Sequence, residues 1–294
     1  MRFLLLDLIS QGVLEDMKIG FHVPISDSLG QAVDIALALE CNVFQIFTRN
    51  PRGWKFTTLG ASEVKTFRSK VEAYSISPIF VHMPYLPNLA SSRENVYALS
   101  VASLKEELKR CSELGIPFLV THLGSNLGFG KSVGFKRIIK AIDSALSEVE
   151  GDVMILLENT AGTKNSMGTL LEDIKHVMDG VEDPKRVGVC FDTCHAFAAG
   201  YDLHGDKAVK RFIELFDQVL GWQKLGLIHL NDSKGGLGSG IDRHEHVGLG
   251  KIGEEGFRSI LHSKFAELPL IMETPIDERR NNLDNLEKVR ELAK

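Results

Sequence analysis

Nine side chains of two chemical types stand at or shortly after the places where short apolar runs stop. His82, His122 and His229 end the runs PIFVH, PFLVTH and LGLIH, and Glu158, Asp192 and Glu273 end VMILLE, VGVCFD and PLIME. His195 follows Asp192 by three residues, and Asp242 and His244 lie in the glycine-rich segment after His229. Singly, a histidine at such a place is most often a hydrogen-bonded rim residue, and a glutamate a solvated loop residue. Gathered at one place, four carboxylates would raise one another's pKa unless cations neutralised them. Imidazole and carboxylate without thiolate suit zinc, with manganese or iron as substitutes, whereas calcium or magnesium would require more oxygen. Cys190 and Cys194 flank the Asp192–His195 pair and read as small buried residues. With one bridging carboxylate, nine ligands fill three sites of three or four protein ligands and leave positions for water or substrate. Such open clusters activate a hydroxide and stabilise a leaving oxygen in phosphoester cleavage.

That convergence requires elements that bring distant residues to one rim. Eight apolar runs begin at Lys18, Val43, Pro78, Pro117, Val153, Val187, Leu225 and Pro269, spaced 25 to 44 residues apart, with helical stretches between them. The rhythm is that of strand, crossover helix, parallel strand. Near-continuous apolar character suits strands covered on both faces. Leu99, Leu104, Leu108 and Cys111 are spaced for the buried face of one helix, with Lys105, Glu106 and Lys109 outside. Asp27 and Ser62 are expected to cap the first two helices, with Glu63 in the first turn of the second. Eight such units predict an α/β (β/α)8 TIM barrel in a single domain, residues 18–294, whose strand ends open onto one mouth. A doubly wound open sheet is disfavoured, because no glycine-rich phosphate loop follows any strand. Residues 1–17 form an extension outside the barrel, either a disordered appendage or a mis-assigned start ahead of Met17.

Composition narrows the rest. The 294 residues carry 34 Lys+Arg against 39 Asp+Glu, a formal net charge of −5. That balance argues against a protein that coats nucleic acid by bulk positive charge, though not against a local basic cleft. No uncharged apolar stretch approaches the roughly 18 residues of a membrane span. Four scattered cysteines do not make a disulfide scaffold, which points to a reducing cytosol.

Four segments carry a family resemblance. Gly188–Asp202 (GVCFDTCHAFAAGYD), His229–Gly253 (HLNDSKGGLGSGIDRHEHVGLGKIG), ENTAG at Glu158–Gly162 and HMPYLPNLA at His82–Ala90 resemble the signatures of endonuclease IV, the zinc-dependent apurinic/apyrimidinic endonuclease family of DNA repair. The similarity runs from about Lys18 to the end. Carried over by position, it implies three zinc ions. His82 and His122 would hold one; Asp192, His229 and Glu273 a second; His195, Asp242 and His244 the third; and Glu158 would bridge the first two. The implied reaction is hydrolysis of the phosphodiester 5′ to an abasic site in duplex DNA, leaving a 3′-hydroxyl and a 5′-deoxyribose phosphate. Glu273 would orient or deprotonate the attacking hydroxide. Arg52 (in TRNPRGW), Tyr85 and Leu86 match residues that enter the minor groove as the abasic nucleotide flips out. Apolar wedges unstack base steps, and flipping costs least where a base is already missing. The family further implies a monomer, acting in the cytoplasm or at the nucleoid. The chain departs from the common pattern at TKNSMG after ENTAG and at Met83. His22, His246 and Asp232 are candidates to orient ligands.

Two other readings use the same residues. A metal-dependent sugar isomerase or epimerase of the xylose-isomerase type would share the barrel, with fewer ligands and one or two ions. A catalytically dead DNA-binding barrel would have no chemical need for all nine.

Overall fold

Each apolar run forms a strand at its expected place. The computed structural model describes residues 17–25 and 28–294. The strands are β1 (Ile19–Phe21), β2 (Phe44–Ile46), β3 (Ile79–His82), β4 (Phe118–His122), β5 (Met154–Glu158), β6 (Val187–Asp192), β7 (Leu225–His229) and β8 (Leu270–Met272). They pair in parallel in sequence order from β2 to β8, with β8 against β1. The ring closes through a parallel bridge between His22 and Gln45, where Val23 N–H donates to Gln45 O at 2.8 Å. The fold is a (β/α)8 TIM barrel in one domain.

Helices wrap it in order: α1 (Leu29–Ala38), α2 (Ala61–Tyr74), α3 (Glu94–Leu114), α4 (Lys131–Glu148), α5 (Leu171–Gly180), α6 (Thr193–Ala199), α7 (Gly205–Leu220), α8 (Gly253–Leu261) and α9 (Asn282–Leu292). Among the described residues, none is long and apolar enough to cross a membrane.

Four expectations need correction or fall outside the described residues. Residues 1–16 and Asp27 lie outside the described residues; Ser28 caps α1, its Oγ accepting from Gln31 N at 3.1 Å. Ser62 does not cap α2. Gly60 holds that position, and Ser62 lies inside the first turn, where its carbonyl accepts from Thr66 Oγ1. Glu63 is in that first turn as expected, and its Oε1 reaches across to accept from Leu29 N at 3.2 Å. Leu99 is exposed rather than on the buried face of α3. Five residues separate it from Leu104, which rotates it about 140° away on a helix of 3.6 residues per turn. The buried face is built instead by Ser100, Ser103, Leu104, Glu107, Leu108, Arg110, Cys111 and Leu114.

Side-chain alternation along the strands explains why the mouth is polar. Val43, Phe80, Val120, Leu156, Cys190, Leu227 and Ile271, one from each of seven strand segments, pack together as a separate core inside the barrel. β1 contributes only Gly20, where a Cβ would lie 1.8 Å from Val43 O. Alternate residues of a strand share a face, so the next inward positions toward the mouth are His22, Gln45, His82, His122, Glu158, Asp192, His229 and Glu273. The apolar plug and the polar rim are thus successive inward positions of the same strands.

Candidate metal centre

Glu158 is the hub of that rim. Its carboxylate is 1% exposed and meets four imidazoles. Oε2 lies 3.0 Å from His82 Nε2 and 3.4 Å from His122 Nε2, whereas Oε1 lies 3.1 Å from His229 Nδ1 and 3.3 Å from His195 Nδ1. Ligand-capable atoms converge in three groups: His82, His122 and Glu158; Glu158, Asp192 and His229; and Asp192, His195 and His244. Seven of the nine residues singled out in the sequence are therefore brought within metal-ligating reach of one another. Asp242 and Glu273 stand at the margin. Asp242 is half exposed, with Oδ1 3.1 Å from His195 Nε2. Glu273 turns Oε1 toward His22 and Gln45 and leaves Oε2 3.8 Å from His229 Nδ1.

Local folding delivers the off-strand candidates. Asp192 both ends β6 and caps α6, its Oδ1 accepting from His195 N at 2.7 Å, so the DTCH turn points His195 back into the mouth. His244 enters on a two-residue antiparallel ribbon, Asp232–Ser233 with His244–Glu245. The loop that follows the ribbon is tied down by Asp232, whose carboxylate accepts from the backbone N–H groups of Gly248, Gly250 and Ile252. A Cβ at Gly250 would meet Asp232 Oδ1 at 2.4 Å, which is why glycine stands there.

The donor chemistry suits cations. His244 Nδ1 donates to Glu273 O at 3.1 Å, fixing the ring, yet among the described residues its buried Nε2 has no hydrogen-bond partner. That atom faces Asp192 Oδ2 at 3.5 Å. Without metal the charges compensate one another. Burial works to raise the Glu158 carboxyl, but the positive fields of His122 and His229 hold it well below the usual carboxylate range. Burial likewise opposes charge on His195, yet Asp192, Asp242 and Glu158 lift its pKa well above 6.5. In a buried array of carboxylates and protonatable imidazoles, divalent ions can take the place of the bound protons.

The structure adds residues that sequence reasoning missed. Asn231 donates from Nδ2 to Asp192 Oδ2 at 2.7 Å and accepts at Oδ1 from Glu273 N at 2.8 Å. Asn159 brackets the Asp192 backbone, donating to its carbonyl and accepting from its N–H, and its own carbonyl lies 3.0 Å from His195 Nδ1. Gln45, in the middle of β2, touches both His229 and Glu273. Inward parity was the available signal for Gln45: it lies two residues after Val43, as His82 lies two after Phe80. Of the expected orienting residues, His22 does contact Glu273, with 3.2 Å between Nδ1 and Oε1. His246 instead contacts Asp277 and Asn285, and Asp232 shapes the loop. Cys190 and Cys194 are buried and free, and burial pushes both thiols up to about 12.

Arg52, Tyr85 and Leu86 share a neighbouring rim. All three are exposed, Tyr85 at 64%. Tyr85 N–H donates to Pro51 O at 3.2 Å, and the Tyr85 ring packs edge-on to Phe47 at 5.1 Å. Tyr85, Leu86, His122, Thr163 and Asp242 help line one cavity of about 400 Å3. The Arg52 loop is clamped from below by a fully buried ion network. Glu107 accepts from Arg49 Nε at 2.7 Å and from Thr48 Oγ1 at 2.5 Å, and Arg110 donates to Thr48 O at 2.7 Å and Thr57 O at 2.6 Å. The departures from the common pattern are packed into place. Met83 is buried, with its carbonyl 2.6 Å from His82 Nδ1. In TKNSMG, Ser166 bridges to Ser125, Met167 N–H donates to Gly124 O at 2.8 Å, and Asn165 takes φ 65° to make the turn.

Residues 33–294 match the family model described as "Xylose isomerase-like TIM barrel". Over 277 residues the chain is 53% identical to a "Probable endonuclease 4" of Methanoculleus marisnigri, covering 94% of this chain and 98% of that protein. The chain belongs to the endonuclease IV family. Another member, "Probable endonuclease 4" of Nitrosopumilus maritimus, is 47% identical across 94% of this chain and its own whole length. The crystal structure of endonuclease IV from Thermus thermophilus superposes with a TM-score of 0.83 at 34% identity, covering 94% of this chain and 98% of that one. A D-tagatose 3-epimerase-like structure reaches a TM-score of 0.71 at only 19% identity, a likeness of fold alone. Membership in the endonuclease IV family therefore rests on matches along nearly the whole chain, and the segments with the candidate ligands lie within residues 33–294.

Proposed function

We propose that this chain hydrolyses the phosphodiester 5′ to an abasic site in duplex DNA, leaving a 3′-hydroxyl and a 5′-deoxyribose phosphate. The observation that carries the proposal is the buried Glu158 carboxylate with four imidazoles within 3.4 Å, opening beside a rim of exposed Tyr85 and Leu86. His82, His122 and Glu158 hold one zinc; Glu158, Asp192, His229 and Glu273 a second; His195, Asp242 and His244 the third. Asp192 Oδ2, 3.5 Å from His244 Nε2 and 3.9 Å from His229 Nδ1, faces both the second and third positions. Bound zinc supplies Lewis-acid charge for the phosphate and the departing 3′ oxygen and lowers the pKa of water; manganese or iron are substitutes.

The chain's own residues bind, orient and exclude. Glu158 is the shared carboxylate, and Glu273 orients the attacking water and takes its proton. Tyr85 and Leu86 wedge into the minor groove with Arg52, and the abasic nucleotide enters the cavity beside them. A net charge of −5 is compatible with this partner, because divalent ions make the mouth locally cationic while the remaining surface stays acidic. The protein acts as a monomer, in the cytoplasm or at the nucleoid.

The test is a duplex carrying one tetrahydrofuran abasic analogue, incubated with protein whose metal content is counted on the same sample. Nicking on the 5′ side, lost on stripping zinc and unaffected by brief magnesium chelation, is the expected result. Fully metallated protein that leaves the duplex intact overturns the assignment.

A further inference from the structure

Gln45 is 0% exposed and sits at the seam where β1 and β2 close the barrel, among three groups from distant parts of the chain. Its Nε2 donates to Glu273 Oε1 at 2.8 Å and lies 2.9 Å from His22 Nδ1, and its Oε1 lies 3.0 Å from His229 Nε2. An ionised carboxylate only accepts hydrogen bonds, so the amide nitrogen must face Glu273. The amide oxygen is then left for His229, and an oxygen cannot donate, so His229 Nε2 must carry the proton. When the ring gives up its second proton, the lone pair is therefore left on Nδ1, the atom that faces Glu158 Oε1 at 3.1 Å and Asp192 Oδ2 at 3.9 Å.

We infer that Gln45 is a positioning residue of the metal centre: one amide selects the metal-ready tautomer of His229 and, with its other end, holds Glu273 beside it. This rests on the metal-dependent reading of the site. Fully buried, Gln45 offers no surface to a substrate. It links the two ligands that the second zinc needs from β7 and β8, and it does so from β2, across the closure of the ring. Asn231 shows the same division of labour on the opposite side, with one amide spanning Asp192 and the Glu273 backbone. Gln45 differs in that its oxygen decides which nitrogen of a ligand histidine is free.

The experiment uses full-length protein labelled with 15N-histidine and loaded with zinc. Long-range 1H–15N spectra are expected to show the His229 ring, assigned through its contact with the Gln45 amide, protonated at Nε2 and unprotonated at Nδ1. Gln45→Leu, which removes both ends of the amide at similar volume, is expected to release one zinc to a chromophoric chelator 10–100-fold more readily, the usual cost of losing a group that orients a ligand. It should lower kcat with KM for the abasic duplex unchanged, because the DNA-facing rim is untouched. A proton on His229 Nδ1 in the zinc-loaded wild type overturns the inference without any variant, and so decides the matter even if Gln45→Leu does not fold. A folded Gln45→Leu that retains all its zinc as tightly as wild type also overturns it. Wild-type protein that takes up no zinc overturns the metal-centre reading itself, a result separate from either.

Discussion

Glu158 Oε1 and His229 Nδ1 lie 3.1 Å apart, both fully buried, at the ends of strands that are not neighbours in the barrel. β6 stands between them and supplies Asp192 to the same space. Three consecutive strands thus deliver Glu158, Asp192 and His229 to one group, with Glu158 also facing His82 and His122 from β3 and β4.

Replacing that hub should disable both groups it joins. Glu158→Gln keeps the shape but removes the charge shared by four imidazoles. We expect loss of bound metal and a fall in kcat on the order of 10²–10³-fold or more. Metal counting and single-turnover cleavage on the same preparation check it; full metal content with full activity would remove Glu158 from its role.

Metal should invert the protein's response to pH. In the metal-free protein, burial opposes charge on His82, His195 and His229, but neighbouring carboxylates outweigh it and raise all three above 6.5. A raised folded pKa gives stability that is complete below 6.5 and is lost as pH climbs through the folded value. His22 and His122 are shifted downward, mainly by burial, so they are neutral in both states above 6.5 and do not offset the loss there. The Tm of metal-free protein should therefore fall as pH rises above 6.5 and through the raised pKa values of these groups. Zinc-loaded protein should gain stability as pH rises toward neutrality, because metal binding releases protons from the same rings. Parallel thermal melts with and without zinc would show opposite slopes; parallel slopes would contradict the proposed exchange of protons for metal.

The clamp under the Arg52 loop should be energetically expensive to break. Glu107→Ala leaves Arg49 and Arg110 buried with the carboxylate gone. Breaking one side of a buried ion network costs about 3–5 kcal/mol, or roughly 10 °C in Tm for a chain of this size. Calorimetry reads the shift, and a change under about 2 °C would mean that solvent or rearrangement satisfies the arginines.

Tyr85 is predicted to act on DNA and not on metal. Tyr85→Ala should weaken abasic-duplex binding by about 1–3 kcal/mol, the usual worth of an aromatic contact to nucleic acid, with zinc content unchanged. Fluorescence anisotropy and metal analysis together test this. Unchanged affinity would make the Phe47–Tyr85 contact a matter of loop packing alone.

The strands, the barrel and the six candidate ligands at strand ends were legible from the chain because each is a local signal: an apolar run, then a polar residue of the same inward parity; His195, Asp242 and His244 lie beyond the runs, in the turn and loop that follow them. Local signals were also where small errors arose. Ser62 and Leu99 were misplaced because a cap or a helical face depends on a shift of one or two residues, which periodicity alone does not resolve. Tertiary structure decided what no short window contains. Gln45 meets His229 across 184 positions and Glu273 across 228, and Glu107 turns inward on a helix whose spacing looked apolar. Hydrogen-bond partners of buried amides and ion pairs depend on which strands neighbour one another and where the ring closes, and only the folded chain contains that information.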